Sequence, residues 1–212
     1  MIDLYTWSTP NGRKVSIALE EMGLAYEVHT VNIGKDEQFS PDFLAISPNN
    51  KIPAIVDRET GTTMMESGAI LLYLAHKTGR FLPKDADRYW QAMEWLMWQM
   101  GGFGPMLGQA HHFLHFNPGR SDYAEERFGR EARRLYGVLD ERLEGREHLT
   151  GELSVADFAV WPWASRFEYQ RIDLNEYPNV RRWYVALARR PAFERGYAQP
   201  HDAGPIPMPE GA

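Results

Sequence analysis

The sequence predicts a chain of two parts, a small mixed α/β domain followed by an all-α helical domain. Three observations carry this. The first 79 residues read β-α-β-α-β-β-α from their apolar periodicities. A short stretch, Phe81-Leu82-Pro83-Lys84-Asp85, then interrupts the patterning. Beyond it nothing alternates as a strand would, and apolar residues recur at helical spacing. A chain of 212 residues has room for two such domains. The expected boundaries are 1–79 for the first domain, 80–86 for the linker, 87–198 for the helical domain and 199–212 for a loose, Pro-rich tail.

Residues 2–7 read as a strand that Ser8-Thr9-Pro10-Asn11-Gly12 breaks. From Arg13 the spacing of Val15, Ile17, Ala18, Leu19 and Met22 is helical, with Gly23 as the stop. Residues 26–33 alternate as a second strand, followed by a polar stretch and a brief helical segment ending at Ile46. Ser47-Pro48-Asn49-Asn50 is turn chemistry. Ile52-Pro53 leads into a strand at 54–57, residues 59–61 turn it, and 62–65 return as a hairpin. An apolar helix at 67–77 stops at Gly79. In the second part, helices are expected at 89–100, 106–116, 122–143, 153–167 and 180–189, with a last short one opened by Pro191. Gly101-Gly102-Phe103-Gly104-Pro105 should kink or interrupt the first of these. Ser154-Val155-Ala156-Asp157 has the form of a capping box.

Composition excludes several classes of function. A net charge of −6 leaves no basic field for nucleic acid. The longest apolar run, 69–75, is far too short to span a bilayer. Asp3 interrupts the N-terminus and no basic region precedes an apolar run, so no leader is expected and the cytoplasm is the expected compartment. The chain has no cysteine, which rules out disulfides, cysteine-ligated zinc and a protein thiol nucleophile. Any thiol chemistry must therefore arrive with a ligand.

Four motifs, Ser8-Thr9-Pro10-Asn11-Gly12, Ser47-Pro48-Asn49-Asn50-Lys51-Ile52-Pro53-Ala54, Glu66-Ser67-Gly68-Ala69-Ile70 and Ser154-Val155-Ala156-Asp157, resemble those of the glutathione transferase superfamily. By order of elements the resemblance runs to about Tyr197. Gly101-Gly102-Phe103-Gly104-Pro105-Met106-Leu107-Gly108-Gln109 and His111-His112-Phe113 look like the bacterial nu class and its relatives, which resemble glutathione-using disulfide reductases. That group is also related to a fungal nitrogen regulator whose role is partly non-catalytic. The resemblance implies an α/β thioredoxin-like N-terminal domain plus an all-α C-terminal helical domain. It also implies glutathione as co-substrate, no metal, a small disulfide or electrophile as second substrate, and a homodimer.

The motifs can be read physically. Thr9-Pro10-Asn11 sits where a strand ends and a helix begins, a place that favours an anion such as a glutathione thiolate. A hydrogen bond to an ionised acceptor contributes about 1.5–3 kcal/mol, roughly one to two pKa units of the thiol. The Thr9 hydroxyl or the Asn11 amide could supply it, taking the place that Tyr or Ser holds in other classes; simple N-capping is the plainer alternative. Ser8 is a rival hydroxyl and Tyr5, within the strand, a weaker one. The resemblance makes Ile52-Pro53 a cis bond, leaving the Ile52 N–H and C=O for an extended peptide to pair with as an added strand. It sets the γ-glutamyl carboxylate against Ser67 and the helix amides, with Glu66 meeting the ligand's ammonium, although Ser67 also reads as an ordinary N-cap.

Gln38 and Lys51 would face the glycine end of the ligand, and Arg127 matches an arginine of the nu-class pattern; solvation or helix-surface pairing are their alternatives. Trp7, Met106 and His111 are candidates for the second-substrate pocket. His111 and His115 share a helical face, but a zinc site wants three or four ligands and no further carboxylate pattern accompanies them. Three functions fit: disulfide reduction by bound glutathione, conjugation of glutathione to an electrophile, and glutathione binding without chemistry.

Overall fold

Four strands, β1 (Ile2–Thr6), β2 (Tyr26–Thr30), β3 (Ala54–Asp57) and β4 (Thr62–Met65), form one sheet in the order β2-β1-β3-β4 in the computed structural model, which describes all 212 residues. β2 runs parallel to β1, β3 runs antiparallel to it, and β4 runs antiparallel to β3. Tyr5 pairs with Ala54 and Ala54 with Met65, while Thr6 pairs with Thr30. The C-terminal ends of β1, β2 and β4 and the N-terminal end of β3 therefore lie along one end of the sheet.

Between β1 and β2 runs α1 (Pro10–Met22), which Thr9 caps by accepting the Gly12 N–H at 3.2 Å and which Gly23 ends in the left-handed conformation. Pro10 in the first turn starts it before the apolar period that predicts it. A short helix, α2 (Pro41–Ile46), precedes β3, and α3 (Ser67–Thr78) follows β4 directly. Gly12 has a packing reason: a Cβ there would stand 2.4 Å from both Thr6 Oγ1 and Trp7 O. Only a glycine lets the first turn of α1 close onto the end of β1.

The chain divides into two compact units, Met1–Leu82 with Arg189–Ile206, and Pro83–Ala188 with Pro207–Ala212. The first departs from the boundaries expected from sequence, because the last helix, α9 (Pro191–Tyr197), packs on α1. Ser16 Oγ donates to Gly196 O at 2.7 Å, and Arg13 Nε donates to Tyr197 O at 3.1 Å with its guanidinium over the Tyr197 ring. Arg190 pairs with Glu21 and Arg195 with Glu20, both at 2.6 Å. The approach is close: a Cβ on Gly196 would lie 2.6 Å from the Ile17 backbone.

The second unit is helical. α4 (Ala86–Trp98) passes through a π-helical turn, Gln99–Phe103, into α5 (Gly104–Ala110), and a second π-helical turn, His111–Phe116, follows. The expected interruption at 101–105 is thus a local widening, with Pro105 accommodated in the first turn of α5. α6 (Asp122–Leu143) and α8 (Pro178–Ala188) pack together, and α7 (Val155–Ala164) is buried almost all round, as its apolar sequence requires. Asp157, fully buried, is the polar hub of this unit. It accepts from Leu149 N and Trp183 Nε1 through one oxygen and from Ser154 N and Oγ through the other. That bears out its reading as a capping residue. The tail is more ordered than its prolines suggest. Pro207 O accepts from Tyr184 on α8, and the Glu210 and Gly211 carbonyls accept from Arg181.

Gly196→Ala should lower the denaturant midpoint, with a loss of about 1–3 kcal/mol from forcing α9 off α1. A midpoint equal to wild type in urea unfolding would mean the two helices part without cost.

Candidate functional site

The sheet end described above gathers most of the residues singled out from sequence. Trp7, Ser8 and Thr9 leave β1 there, Ile52 and Pro53 enter β3 there, and Glu66 and Ser67 leave β4 there. The segment that carries Gln38 leaves β2 from the same end.

Thr9 is the N-cap of α1, so the plainer reading is structurally true. It does not exhaust the side chain. The Thr9 oxygen accepts the Gly12 N–H, which leaves the hydroxyl proton for donation elsewhere. Thr9 N donates to Trp7 O at 2.6 Å, which tightens the turn. Asn11 follows in the first turn of α1, half-buried. Tyr5 is no rival for this position: its ring stacks on His29 and packs on Phe43, and burial raises its phenol pKa.

The Ile52-Pro53 bond is cis. Ile52, like Tyr5, packs on the cluster of Val31, Phe43 and Ala54, while its backbone N–H and C=O make no hydrogen bond within the chain. Lys51 is exposed, and its carbonyl accepts from Ser47 Oγ. Gln38 donates to Asp36 Oδ1 at 3.4 Å, and its own Oε1 is a buried acceptor without a partner.

At α3 the structure corrects the sequence reading. Ser67 is the first helical residue rather than the N-cap; Glu66 holds the cap position and caps nothing with its side chain. Glu66 adopts φ 70° and ψ 108°, a conformation L-residues avoid and one that costs about 1–3 kcal/mol. The helix N-terminus thus presents its positive end with no side-chain acceptor of its own.

Lys14 joins this group and was not singled out from sequence. Its side chain, only 1% exposed, donates from Nζ to Ser67 Oγ at 3.2 Å. Burial lowers its pKa to about 7, and the charge of Glu66 opposes that shift.

Three candidates lie in the second unit, on separate elements. Met106 is half-buried on α5 and Arg127 is exposed on α6. His111 is buried at 7% and stacks on Trp163. The Gln170 amide donates to Trp163 O and to His111 Nε2, both at 2.9 Å, while its oxygen accepts from Tyr136. His111 Nε2 is therefore an acceptor, and the ring is neutral. Burial, with Arg166 and His115 nearby, lowers its pKa to about 4. His115 is exposed and stacks on Tyr169, whose ring also meets His111 edge-on.

Asp3, Glu27 and His29 stand close enough for a metal, but the Arg58 guanidinium bonds both carboxylates and His29 bonds Asp3 at 2.7 Å. No helix of the chain is long and apolar enough to cross a membrane.

Comparison with known proteins gives the class. Residues 9–77 match the model of the glutathione S-transferase N-terminal domain and residues 103–191 that of the C-terminal domain. The chain belongs to the glutathione S-transferase family, with the thioredoxin-like and helical domains expected of it. The disulfide-bond oxidoreductase YfcG of Escherichia coli is 52% identical over 198 residues, covering 91% of this chain and 92% of that protein. A glutathione transferase of Burkholderia graminis, solved with two glutathione molecules per subunit, is 44% identical with a TM-score of 0.89, over 94% of this chain and 88% of that one. One from Pseudomonas putida, solved with one glutathione disulfide per subunit, is 43% identical with a TM-score of 0.89, over 94% and 91%.

The depressed Lys14 fixes a sign for pH dependence. Between pH 7 and the ordinary lysine range the unfolded chain holds a proton at Lys14 that the folded chain has released, so stability linked to this residue rises with pH. The unfolding free energy of wild type minus that of Lys14→Met should grow from pH 7 to pH 10. A difference that stays flat across that window would show Lys14 to be an ordinary ammonium.

Proposed function

We propose that this chain is a glutathione-dependent disulfide-bond reductase in which bound glutathione supplies the thiol. The observation that carries the reading is the Thr9 hydroxyl on a sheet end shared with Ile52-Pro53 and Glu66-Ser67, in a chain with no cysteine. The 52% identity to a disulfide-bond oxidoreductase, and relatives holding two glutathiones or one glutathione disulfide, support it.

In this reading one glutathione lies along the sheet end. Its thiolate accepts from Thr9, with Asn11 as second donor, and is stabilised as an anion at the start of α1. Its backbone pairs with Ile52 as an added strand. Its γ-glutamyl carboxylate meets Ser67 and the first amides of α3, and its ammonium meets Glu66. Gln38 and Lys51 take the glycine end, the Gln38 Oε1 acceptor receiving a ligand N–H. Arg127 is assigned to a ligand carboxylate, from a partner subunit or the helical domain. Trp7 of the first unit, and Met106 and His111 of the second, are assigned to the second substrate.

The thiolate attacks one sulfur of the disulfide, and a second glutathione resolves the mixed disulfide to give glutathione disulfide. The protein contributes orientation and a lowered thiol pKa. We place the chain in the cytoplasm as a homodimer. The exposed apolar stripe of Trp90 and Met97 on α4, 67% and 54% accessible, supports the second point.

The test is turnover of hydroxyethyl disulfide with glutathione, alongside conjugation of chlorodinitrobenzene. Disulfide reduction should dominate. Thr9→Ala should lower its kcat roughly tenfold or more, Thr9→Ser should restore it, and Ser67→Ala should raise KM for glutathione. Full turnover in both Thr9→Ala and Asn11→Ala would remove the thiolate assignment. Dominant conjugation would move the reading to a conventional transferase, and glutathione binding without turnover to a regulatory module.

A further inference from the structure

The tail, expected to be loose, brings a titratable ring onto the site. His201 follows a cis Gln199-Pro200 bond, its Nε2 lies 3.3 Å from Ser8 Oγ, and its ring packs on Trp7 with centroids 4.9 Å apart. Ser8 is the neighbour of Thr9, and Trp7 O holds the Thr9 N–H. His201 is solvent-exposed. An accessible imidazole is thereby held one residue from the proposed thiolate donor by a segment remote in sequence. Imidazole changes charge near neutral pH and is the side chain best suited to move a proton there. The two groups it rests on do not titrate in that range, and Asp202, the adjacent acid, has Oδ1 on the Gly204 N–H.

We propose that His201 is a catalytic acid–base residue that protonates the departing thiolate and takes the proton of the second glutathione; this rests on the disulfide-reductase reading. The bound glutathione thiolate attacks R–S–S–R′. A new S–S bond forms, the old one breaks, and its electron pair leaves on R′–S⁻. The His201 imidazolium gives that sulfur its proton, releasing R′–SH. The second glutathione then passes its thiol proton to the neutral imidazole and attacks the glutathione sulfur of the mixed disulfide. Glutathione disulfide forms, R–S⁻ leaves, and the same proton moves from His201 to it. The proton that the first glutathione gives up on ionising recharges the ring through solvent. Two glutathiones and one disulfide become glutathione disulfide and two thiols, with protons and electrons balanced.

The experiment exploits the leaving group. An aliphatic thiolate needs a proton on departure, whereas a nitro-aromatic thiolate leaves as the stable anion. His201→Gln keeps a polar atom near Ser8 but does not titrate. It should lower kcat for hydroxyethyl disulfide about tenfold or more, leave KM for glutathione within about twofold, and slow dithiobis(nitrobenzoate) by a clearly smaller factor, because only the deprotonation of the second glutathione is then lost. An equal loss with both disulfides would make His201 a structural prop of the turn and overturn the proposal. Unchanged turnover of both would overturn it too, with the reductase reading intact. A wild-type protein that turns over neither disulfide would remove that reading and this proposal with it.

Discussion

The direction in which β3 and β4 run against β1 is the constraint on which the rest depends. Because β3 is antiparallel to β1 and β4 reverses again, the chain leaves β1, enters β3 and leaves β4 along one edge. Three segments far apart in sequence then share a neighbourhood without any long loop. Each brings a different kind of group: a hydroxyl at a helix start, an unpaired stretch of backbone, and a second helix start. The register also makes the spacing inflexible, since a slip of one residue would turn every side chain of β3 to the other face. Gly12 belongs to the same constraint. It lets α1 begin so close to Thr6 that Thr9 must cap it from the edge of the sheet.

Charge is the second level of organisation. Two helix N-termini face a common end of the sheet, and their partial positive charges suit an anionic peptide. Lys14 lies in the same region, but burial keeps its charge weak near neutral pH. Glu66 moderates that effect and holds an unfavourable backbone conformation that a capping residue would not need. The strain, the uncapped helix and the buried cation are each poor choices for stability alone. Together they fit the proposed reading of this end of the sheet as a binding site.

Much of this was legible in the sequence because it rests on local chemistry. The bounds of β3, β4 and α6 follow from alternation and caps, and Ser154 with Asp157 announces its own helix start. What was not legible depends on close approach between distant segments. Nothing local tells that Pro191 opens a helix for the first unit, because the reason is the missing Cβ of Gly196 against Ile17. Lys14 reads as an ordinary helix-surface cation until α1 is seen to be enclosed on most sides. Ser67 passes for an N-cap because Ser is the usual one, whereas the positive φ of Glu66 shifts the cap by a residue. His111 invites a pocket role by its neighbours in sequence, but its partners Gln170 and Trp163 lie far along the chain.

A chain without cysteine changes what a thiol–disulfide catalyst has to evolve. The nucleophile arrives with each substrate, so no protein thiol must be kept reduced or protected from over-oxidation. The protein needs only fixed donors and a route for protons. In the proposed reading the fixed donors come from rigid elements: a helix cap at Thr9, a strand approach at Ile52 and a helix start at Ser67. Proton transfer is different, because its carrier must meet a sulfur that changes identity between the two halves of the reaction. A solvent-exposed ring, open to both partners, suits that demand where a buried one could not. The division seen here, rigid donors from the first 80 residues and a solvent-exposed imidazole from the tail, matches those two demands.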